Sequence, residues 1–562
     1  MAQLQKRRLP PGYWLAGMVV FCIFAYLVIF AIMNIYGYKL FSDADKYADT
    51  LLSRLMWEEK TLFPDGWVFS NQYYVVATPV LAALFYGVTG NVNTAMVLAT
   101  ELMTLFIIVS FLWMTFSFTE GTAPGRWLLC LFGLLLLICS TMAPDIHGNR
   151  PSEIFFLQAS YYACYLIGFF VVVGDYARTF RSRERRLCSW GLALFLSFAL
   201  GIQSLRQTVA MILPLLAYEI FLALRRLCLR QPLWTAETRP SLFRAISYAA
   251  ANVLGIFTVS WIDPLHSSLY GSFQLTPLDQ LWPRIQALWP AFQVISGLKY
   301  SVSAGYSPFF TVFSLVLIGI VAAAILLWLA NIRKSEGPLE ICWLVCLIGL
   351  LGTALSTVVI GINIRDIYLF LWYPLVALSG IILMKHLPRW SKGLLIVLIC
   401  LLSLVNLRSG YTYGAQSALL NSPSYAGKAF RLIRDYGFKS YATIDEDYHN
   451  TEALCDWAMA EGYDYVYGDW YTAPEIAVHS GGRLAACHWW IESVFVPNDR
   501  LIYRHFYDDE DNARAVYVFT DRDEQLALDL AAERGVELTR QAEFGKYTAY
   551  TSPVQLFTRT WD

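Results

Sequence analysis

The sequence predicts an α-helical, multi-pass membrane protein of about eleven spanning helices with a polar α/β domain at its C-terminal end. Three observations carry the prediction. Hydrophobic residues make up 57% of the 562 residues and charged residues 15%, against roughly 25% charged in a soluble domain. Apolar runs long enough to cross a bilayer recur up to residue 408. From 409 the composition turns polar, and helix-like stretches ending at glycine alternate with β-rich ones. The net charge of -1 offers no basic field for nucleic acid. An aromatic content of 16% suits interfacial belts and sugar- or lipid-facing surfaces.

The first element is the run at 12–37, which follows the basic cluster Lys6–Arg8. It exceeds the core of a signal peptide and has no small-residue cleavage site, so it reads as a retained span. In the polar stretch that follows, "SDADKYADTLLSRL", a Ser/Asp cap precedes apolar positions at Tyr47, Leu51, Leu52 and Leu55, the spacing of a short helix. The run at 73–90 is ambiguous. If it spans, the basic stretches 178–186 and 225–231 fall outside the cell, against the positive-inside rule. Its Pro79 and short apolar length favour a helix along the membrane surface. The remaining spans are 91–118, 126–143, 156–176, 187–204, 207–224, 245–262, 307–330, 340–361, 366–384 and 392–408. This arrangement places Lys6–Arg8, Arg126, Arg178–Arg186, Arg225–Arg244, Arg333–Lys334 and Lys385–Lys392 in the cytoplasm, with the N-terminus in and the C-terminus out. The outer side then holds 38–90, 143–153, 204–207, a long loop at 263–307, 361–366 and the tail. The predicted domains are 1–408, transmembrane, and 409–562, an extracytoplasmic α/β domain with helices such as "DEQLALDLAAERGVEL" and strands such as "YDYVYGD" and "RAVYVFTD".

Chemistry-bearing residues concentrate on that outer side. The first loop holds Asp43, Asp45, Asp49, Glu58, Glu59 and Asp65. Asp43 and Asp45 stand where first-turn amides hold carboxylates. One reading makes them capping and solvated acids; the other makes one a general base at a membrane-edge cavity, where partial burial raises a carboxyl pKa. The D-x-D pair is also a weak signal for a divalent cation. Asp49 falls on the polar face of the short helix, and Glu58, Glu59 and Asp65 on a solvated surface segment. Arg150, Arg206, Lys299 and Arg365 are isolated cations on the side that disfavours them. Each arginine is either snorkelled, with Arg365 bonded to a helix end or to Asp366, or placed to grip phosphate, whose oxygens a guanidinium matches bidentately. Lys299 anchors its loop or adds a cation near the cavity. In "APDIHGNRPSE", the group Asp145, His147, Arg150 and Glu153 lacks a recognised zinc spacing and reads as a polar loop with a helix cap or as a head-group contact.

Other features stay open. Nine of the eleven cysteines fall at or beside apolar runs with no metal-ligand spacing. Cys455 and Cys487, in the tail, suit a disulfide if that region is extracellular. Trp470, Tyr471 and Trp489 are either core residues of the tail or a sugar-stacking surface, and His479 has no evident sequence partner. Glu101 and Glu219 are the main acids within apolar runs. No phosphate-binding glycine loop or dinucleotide fingerprint is present.

The order of features in 42–90 carries a resemblance. "SDADKYAD" follows the first span, then a tryptophan-containing segment, then "VVATPVLAALFYGVTGN", a Pro-containing surface helix ended by glycine. This resembles the GT-C superfamily of membrane glycosyltransferases, the class of protein O-mannosyltransferases and the lipid A aminoarabinose transferase; in architecture the likeness covers about 1–408. It implies that Asp43 acts as catalytic base or orients the acceptor, and that Lys46 and Tyr47 are the family's basic-Tyr pair. Arg365 and Tyr368 then match the Arg-Tyr position of the late spans, which sets Arg365 ahead of Arg206. Ala44 departs from the pattern, since many members carry a second adjacent acid; Asp45 substitutes for it, or the metal dependence of some relatives is absent. The implied donor is a polyprenyl-phosphate sugar, touched by Arg365, Arg206, Arg150, Tyr368, Lys46, Tyr47, His147 and Lys299. The implied acceptor is a cell-wall polymer, a lipid-linked glycan or a protein, and transfer inverts the anomeric centre at a bacterial plasma membrane. No cofactor is certain; a divalent metal on Asp43 and Asp45 is the one candidate. The alternative is a transporter or flippase of a lipid-linked glycan, which needs more polar residues deep in the spans.

Overall fold

A computed structural model describes residues 11–37, 44–69, 72–141, 154–157, 160–181, 187–232, 238–262, 275–298, 308–332, 337–361, 364–411, 441–490, 493–498, 501–507, 512 and 514–557. In chain order the described helices begin with α1 (Pro11–Gly37), α2 (Ala44–Glu58), α3 (Thr78–Thr89), α4 (Val92–Phe118), α5 (Ala123–Ser140) and α6 (Ala163–Arg178). There follow α7 (Leu187–Gln203), α8 (Leu213–Cys228), α9 (Thr238–Ile262), α10 (Leu278–Ile295) and α11 (Pro308–Ala330). Then come α12 (Pro338–Val359), α13 (Trp372–His386), α14 (Arg389–Tyr411), α15 (Tyr441–Ala460), α16 (Thr472–His479) and α17 (Glu524–Glu533).

Among the described residues, nine helices are long and apolar enough to cross a membrane: α1, α4, α5, α8 with the π-helical turn before it, α9, α11, α12, α13 with the turn before it, and α14. The chain is a multi-pass membrane protein. Two of the eleven expected spans are shorter than their apolar runs. α6 has 16 residues and α7 has 17, about 24 and 26 Å at 1.5 Å per residue, less than a hydrocarbon core of roughly 30 Å. Phe156 and Leu157, counted at the start of the first of these runs, fall in a turn. At 12 residues, α3 is too short to cross. The expected loop at 263–307 holds α10, which Pro283 and Pro290 in its interior hid from a propensity reading. Its Leu278, Trp282 and Trp289 are exposed.

The chain divides into two compact units. One comprises Met1–Phe30, Met103–Phe156 and Tyr162–Tyr411; the other Ala31–Leu102, Leu157–Tyr161 and Thr412–Asp562. In the first, α7 and α9 approach closely because both are small where they cross. A Cβ on Gly201 would stand 2.2 Å from the Asn252 carbonyl oxygen, and one on Gly255 would stand 2.1 Å from that of Phe198. Close backbone approach through small residues is the usual way apolar helices associate in lipid. Gly255→Ala is therefore expected to cost about 1–3 kcal/mol by overpacking against backbone, read as a lower melting temperature in detergent. Gly191→Ala, on the same helix as Gly201 with open space around it, is the control and should leave the melting temperature unchanged.

Polar side chains staple this helical unit internally. Tyr26 donates to the Ser403 carbonyl at 2.7 Å, Asn406 to that of Cys139 at 3.0 Å, and Trp343 Nε1 to Ser379 at 2.8 Å. Asp175 on α6 is buried and accepts from Ser189, Tyr248 and Arg244, joining α6, α7 and α9. Glu219 accepts from Tyr176 at 2.6 Å.

The second unit holds the tail. Its strands are β1 (Trp67–Val68), β2 (Tyr465–Asp469), β3 (Ala485–Trp489), β4 (Ile502–Tyr503), β5 (Ala515–Thr520), β6 (Thr539–Phe544) and β7 (Tyr547–Thr551). Five form a sheet in the order β3-β2-β5-β7-β6, parallel across β3, β2 and β5 and antiparallel beyond. One face buries Tyr467, Cys487, Trp489, Phe495, Tyr517 and Phe519, so Trp489 is core. Cys455 and Cys487 are separate buried thiols rather than a disulfide; Cys455 donates to the Ile476 carbonyl and Cys487 to that of Phe506. Glu101 belongs to this unit too, and accepts from Asn34 at 2.7 Å.

Candidate functional site

Within the second unit the acid-rich segment is joined to the tail, while Asp45, Glu58 and Asp65 stay exposed and Glu59 is half-buried. β1 pairs with β4, Trp67 opposite Tyr503. Tyr503 donates to Glu59 at 2.9 Å, and Arg54 to the Gly482 carbonyl at 2.7 Å. Tyr47, buried on α2, accepts the Ala486 backbone N–H at 2.9 Å. That bond ties α2 to β3. Tyr47→Phe leaves the amide of Ala486 unmatched and is expected to cost about 1–3 kcal/mol, measured by thermal unfolding.

Asp45 lies in the first turn of α2 and is exposed; Lys46 is buried beside it. Asp49, expected on the polar face of the helix, is 1% exposed. It accepts from Tyr74, whose own hydroxyl takes a 3.0 Å bond from Gln72. Burial, then the Asp49 charge, holds the Tyr74 phenol well above its ordinary range, so Tyr74 stays protonated as a donor. Four residues separate Asp45 from Asp49, one helical turn, so the exposed acid sits above a buried one. Asp43, Asp145, His147, Arg150, Glu153 and Lys299 lie outside the described residues.

Among the described residues no three His, Cys, Asp or Glu side chains converge as cation ligands. Asp45 is exposed on this turn, and Asp49 is engaged by Tyr74.

In the first unit, α7 ends at Gln203, a turn carries Arg206, and a π-helical turn (Thr208–Ile212) leads into α8. Pro214, at the start of α8, supplies no N–H, and a π turn accommodates such a gap; these turns recur at functional sites. Thr208 pins the turn by donating to Asn252 at 2.6 Å. Facing it, α12 ends at Val359 and Gly361 takes φ +70°, a left-handed conformation glycine adopts without strain. The carbonyls left open at the end of α12 are capped by neighbours. Thr276 bonds those of Val359 and Val358, and Arg284 that of Thr357 at 2.7 Å. The chain then runs extended through Arg365 into a 3₁₀ turn, Asp366–Leu369.

These two segments bring four predicted or neighbouring groups together. The Arg206 guanidinium lies 5.4 Å from the ring centres of both Tyr162 and Tyr368, and Tyr368 hydrogen-bonds to it. Arg365 and Asp366 are close enough to act on Tyr162 electrostatically. Arg206 is half-buried and Arg365 exposed. Two guanidinium groups thus lie near two phenols, Arg206 against aromatic faces and Arg365 exposed, an arrangement whose chemistry suits an anion. Tyr162, absent from the sequence reading, carried no local signal, because it joins Arg206 and Tyr368 only through the fold.

The helical membrane architecture agrees with the one expected from the 42–90 resemblance, and an α/β domain follows it in the sequence. No family model matches the sequence, and no curated protein matches it. Among solved structures, ArnT from Cupriavidus metallidurans in the apo state shares the fold with a TM-score of 0.55 at 12% identity, covering 97% of this chain and 99% of that one. The same protein bound to undecaprenyl phosphate gives a TM-score of 0.54 at 12% identity, over 98% and 100% of the two chains.

Proposed function

We propose that this chain is a GT-C-type glycosyltransferase that moves a sugar from a polyprenyl-phosphate donor to an acceptor on the outer face of a bacterial plasma membrane. The observation that carries the reading is the Arg206, Arg365, Tyr162 and Tyr368 cluster on a fold shared end to end with a protein solved with undecaprenyl phosphate. In the proposed step, Asp43, helped by Asp45 two positions on in the sequence, deprotonates or orients an acceptor hydroxyl. The acceptor oxygen forms its bond to the anomeric carbon while the bond from that carbon to the phosphate oxygen breaks, inverting the centre. The electron pair leaves with the lipid phosphate, whose growing charge Arg206 and Arg365 stabilise. The acceptor is a cell-wall polymer, a lipid-linked glycan or a protein. The acids in apolar helices are held by local hydrogen bonds, Glu101 by Asn34 and Glu219 by Tyr176, an arrangement suited to stapling helices rather than to conducting a polar cargo.

The test is purified protein in detergent with polyprenyl-phosphate sugar. Release of lipid phosphate should depend on added acceptor, and Asp43→Asn should abolish it with expression intact. Near-normal turnover in that variant would sink the base assignment. Movement of the lipid across liposomes without bond cleavage would replace the transferase reading with a flippase.

A further inference from the structure

The tail sheet has a change in the direction of strand order, the place where open α/β sheets form a crevice, that the transfer reaction leaves unused. The connection leaving β2 passes through α16 to β3 on one side, while the one leaving β5 passes through α17 to β6 and β7 on the other. The carboxyl ends of β2 and β5 are therefore a topological switch point, where open α/β sheets bind ligands. Trp470 and Tyr471 follow β2, Trp490 follows β3, and Arg522 follows β5. The Trp470 and Trp490 rings stand 5.3 Å apart at 59°. Tyr471 is 52% exposed and Trp490 45%, unusual for large aromatics in a polar domain. Arg522 forms an ion pair with buried Asp469, whose other oxygen accepts the amides of Tyr471 and Thr472, and its guanidinium lies 5.9 Å from the Tyr471 ring centre. The charge is thus held in place at the rim.

Behind Trp470 lies an unmet polar demand. His488 is 1% exposed, its ring 5.0 Å from that of Trp470 and perpendicular to it. Among the described residues, neither of its ring nitrogens has a hydrogen-bond partner, nor does the Nδ2 of buried Asn498, whose backbone N–H bonds the His488 carbonyl. Burial holds the His488 pKa down to about 3, so the ring is neutral, with one donor and one acceptor to satisfy. Such groups are costly when left unmatched. A hydroxyl, both donor and acceptor, satisfies either nitrogen, and the C–H face of a pyranose suits the negative face of an aromatic ring.

We propose that this crevice is a saccharide-binding site of the tail domain, with Trp490 and Tyr471 as the stacking surface, Arg522 as hydroxyl donor, and His488 and Asn498 as the polar floor. It deepens the proposed function by giving a glycan acceptor a hold apart from the phosphate cluster, and in that role it rests on the transferase reading. Binding itself does not, so the test omits the lipid donor. Full-length protein in detergent is titrated with chitotetraose, cellotetraose and mannotetraose, followed by tryptophan fluorescence and calorimetry. At least one should bind saturably, with millimolar affinity or tighter. Trp490→Ala, which keeps its melting temperature, should weaken that binding by about tenfold or more, Trp490→Tyr should restore most of it, and Arg206→Ala should leave it unchanged. Failure of all three sugars to bind, or equal affinity in Trp490→Ala, overturns the proposal and leaves the transferase reading standing. Binding lost in Arg206→Ala but kept in Trp490→Ala also overturns it, by moving the sugar to the phosphate cluster.

Discussion

Arg206→Ala is expected to lower sugar transfer from a polyprenyl-phosphate donor by about two to three orders of magnitude, the usual effect of removing one preorganised group that stabilises developing charge. The guanidinium sits between Tyr162 and Tyr368 at 5.4 Å from each ring, so its position is set before substrate arrives. The phosphate gains charge as the glycosidic bond breaks, hence the loss should fall on kcat more than on KM. Arg206→Lys keeps the charge but not the planar fork that meets two phosphate oxygens; an intermediate rate is expected. Arg365, exposed on extended backbone, is less constrained, and its alanine variant should lose less. The measurement is acceptor-dependent release of lipid phosphate, with melting temperature as the control for folding. Near-normal turnover in Arg206→Ala would remove the cluster from the chemistry.

The parts of this site that the sequence announced are those with local cause. Arg206 and Arg365 stood out because the positive-inside rule makes single outer arginines conspicuous, and apolar length located most of the spans. Tyr162, by contrast, is one aromatic among many until the fold sets it against Arg206. Asp49 was misread because periodicity assigns a helix face its neighbours only by assumption. The face holding Asp49 packs against Tyr74, and α2 joins strands more than four hundred residues away, as in the bond from Ala486 to Tyr47. His479 likewise seemed partnerless, yet it lies 2.9 Å from Glu452 on α15. Long-range partners leave no trace in a 3.6-residue or two-residue period.

The same limit hid a buried ion pair of the membrane unit, which gives the largest stability effect expected here. Asp175→Ala should destabilise the protein by about 3–5 kcal/mol, the cost of leaving a buried charge without its partner. Asp175 is 2% exposed and accepts from Ser189, Tyr248 and Arg244, while Arg244 also lies 5.1 Å from the ring of Trp190. One carboxylate therefore joins three helices, and its loss strands the guanidinium and two hydroxyls together. If the charge on Arg244 dominates, removing it as well should recover stability: Asp175→Ala with Arg244→Met is expected to melt above Asp175→Ala alone, because an apolar replacement of both partners avoids the uncompensated cation. Asp175→Asn, which still accepts from Ser189 and Tyr248, should fall between wild type and alanine. Thermal unfolding of the four proteins in one detergent decides the matter. A double variant no more stable than Asp175→Ala would show that the hydrogen bonds to Ser189 and Tyr248, rather than the ion pair, hold α6, α7 and α9 together.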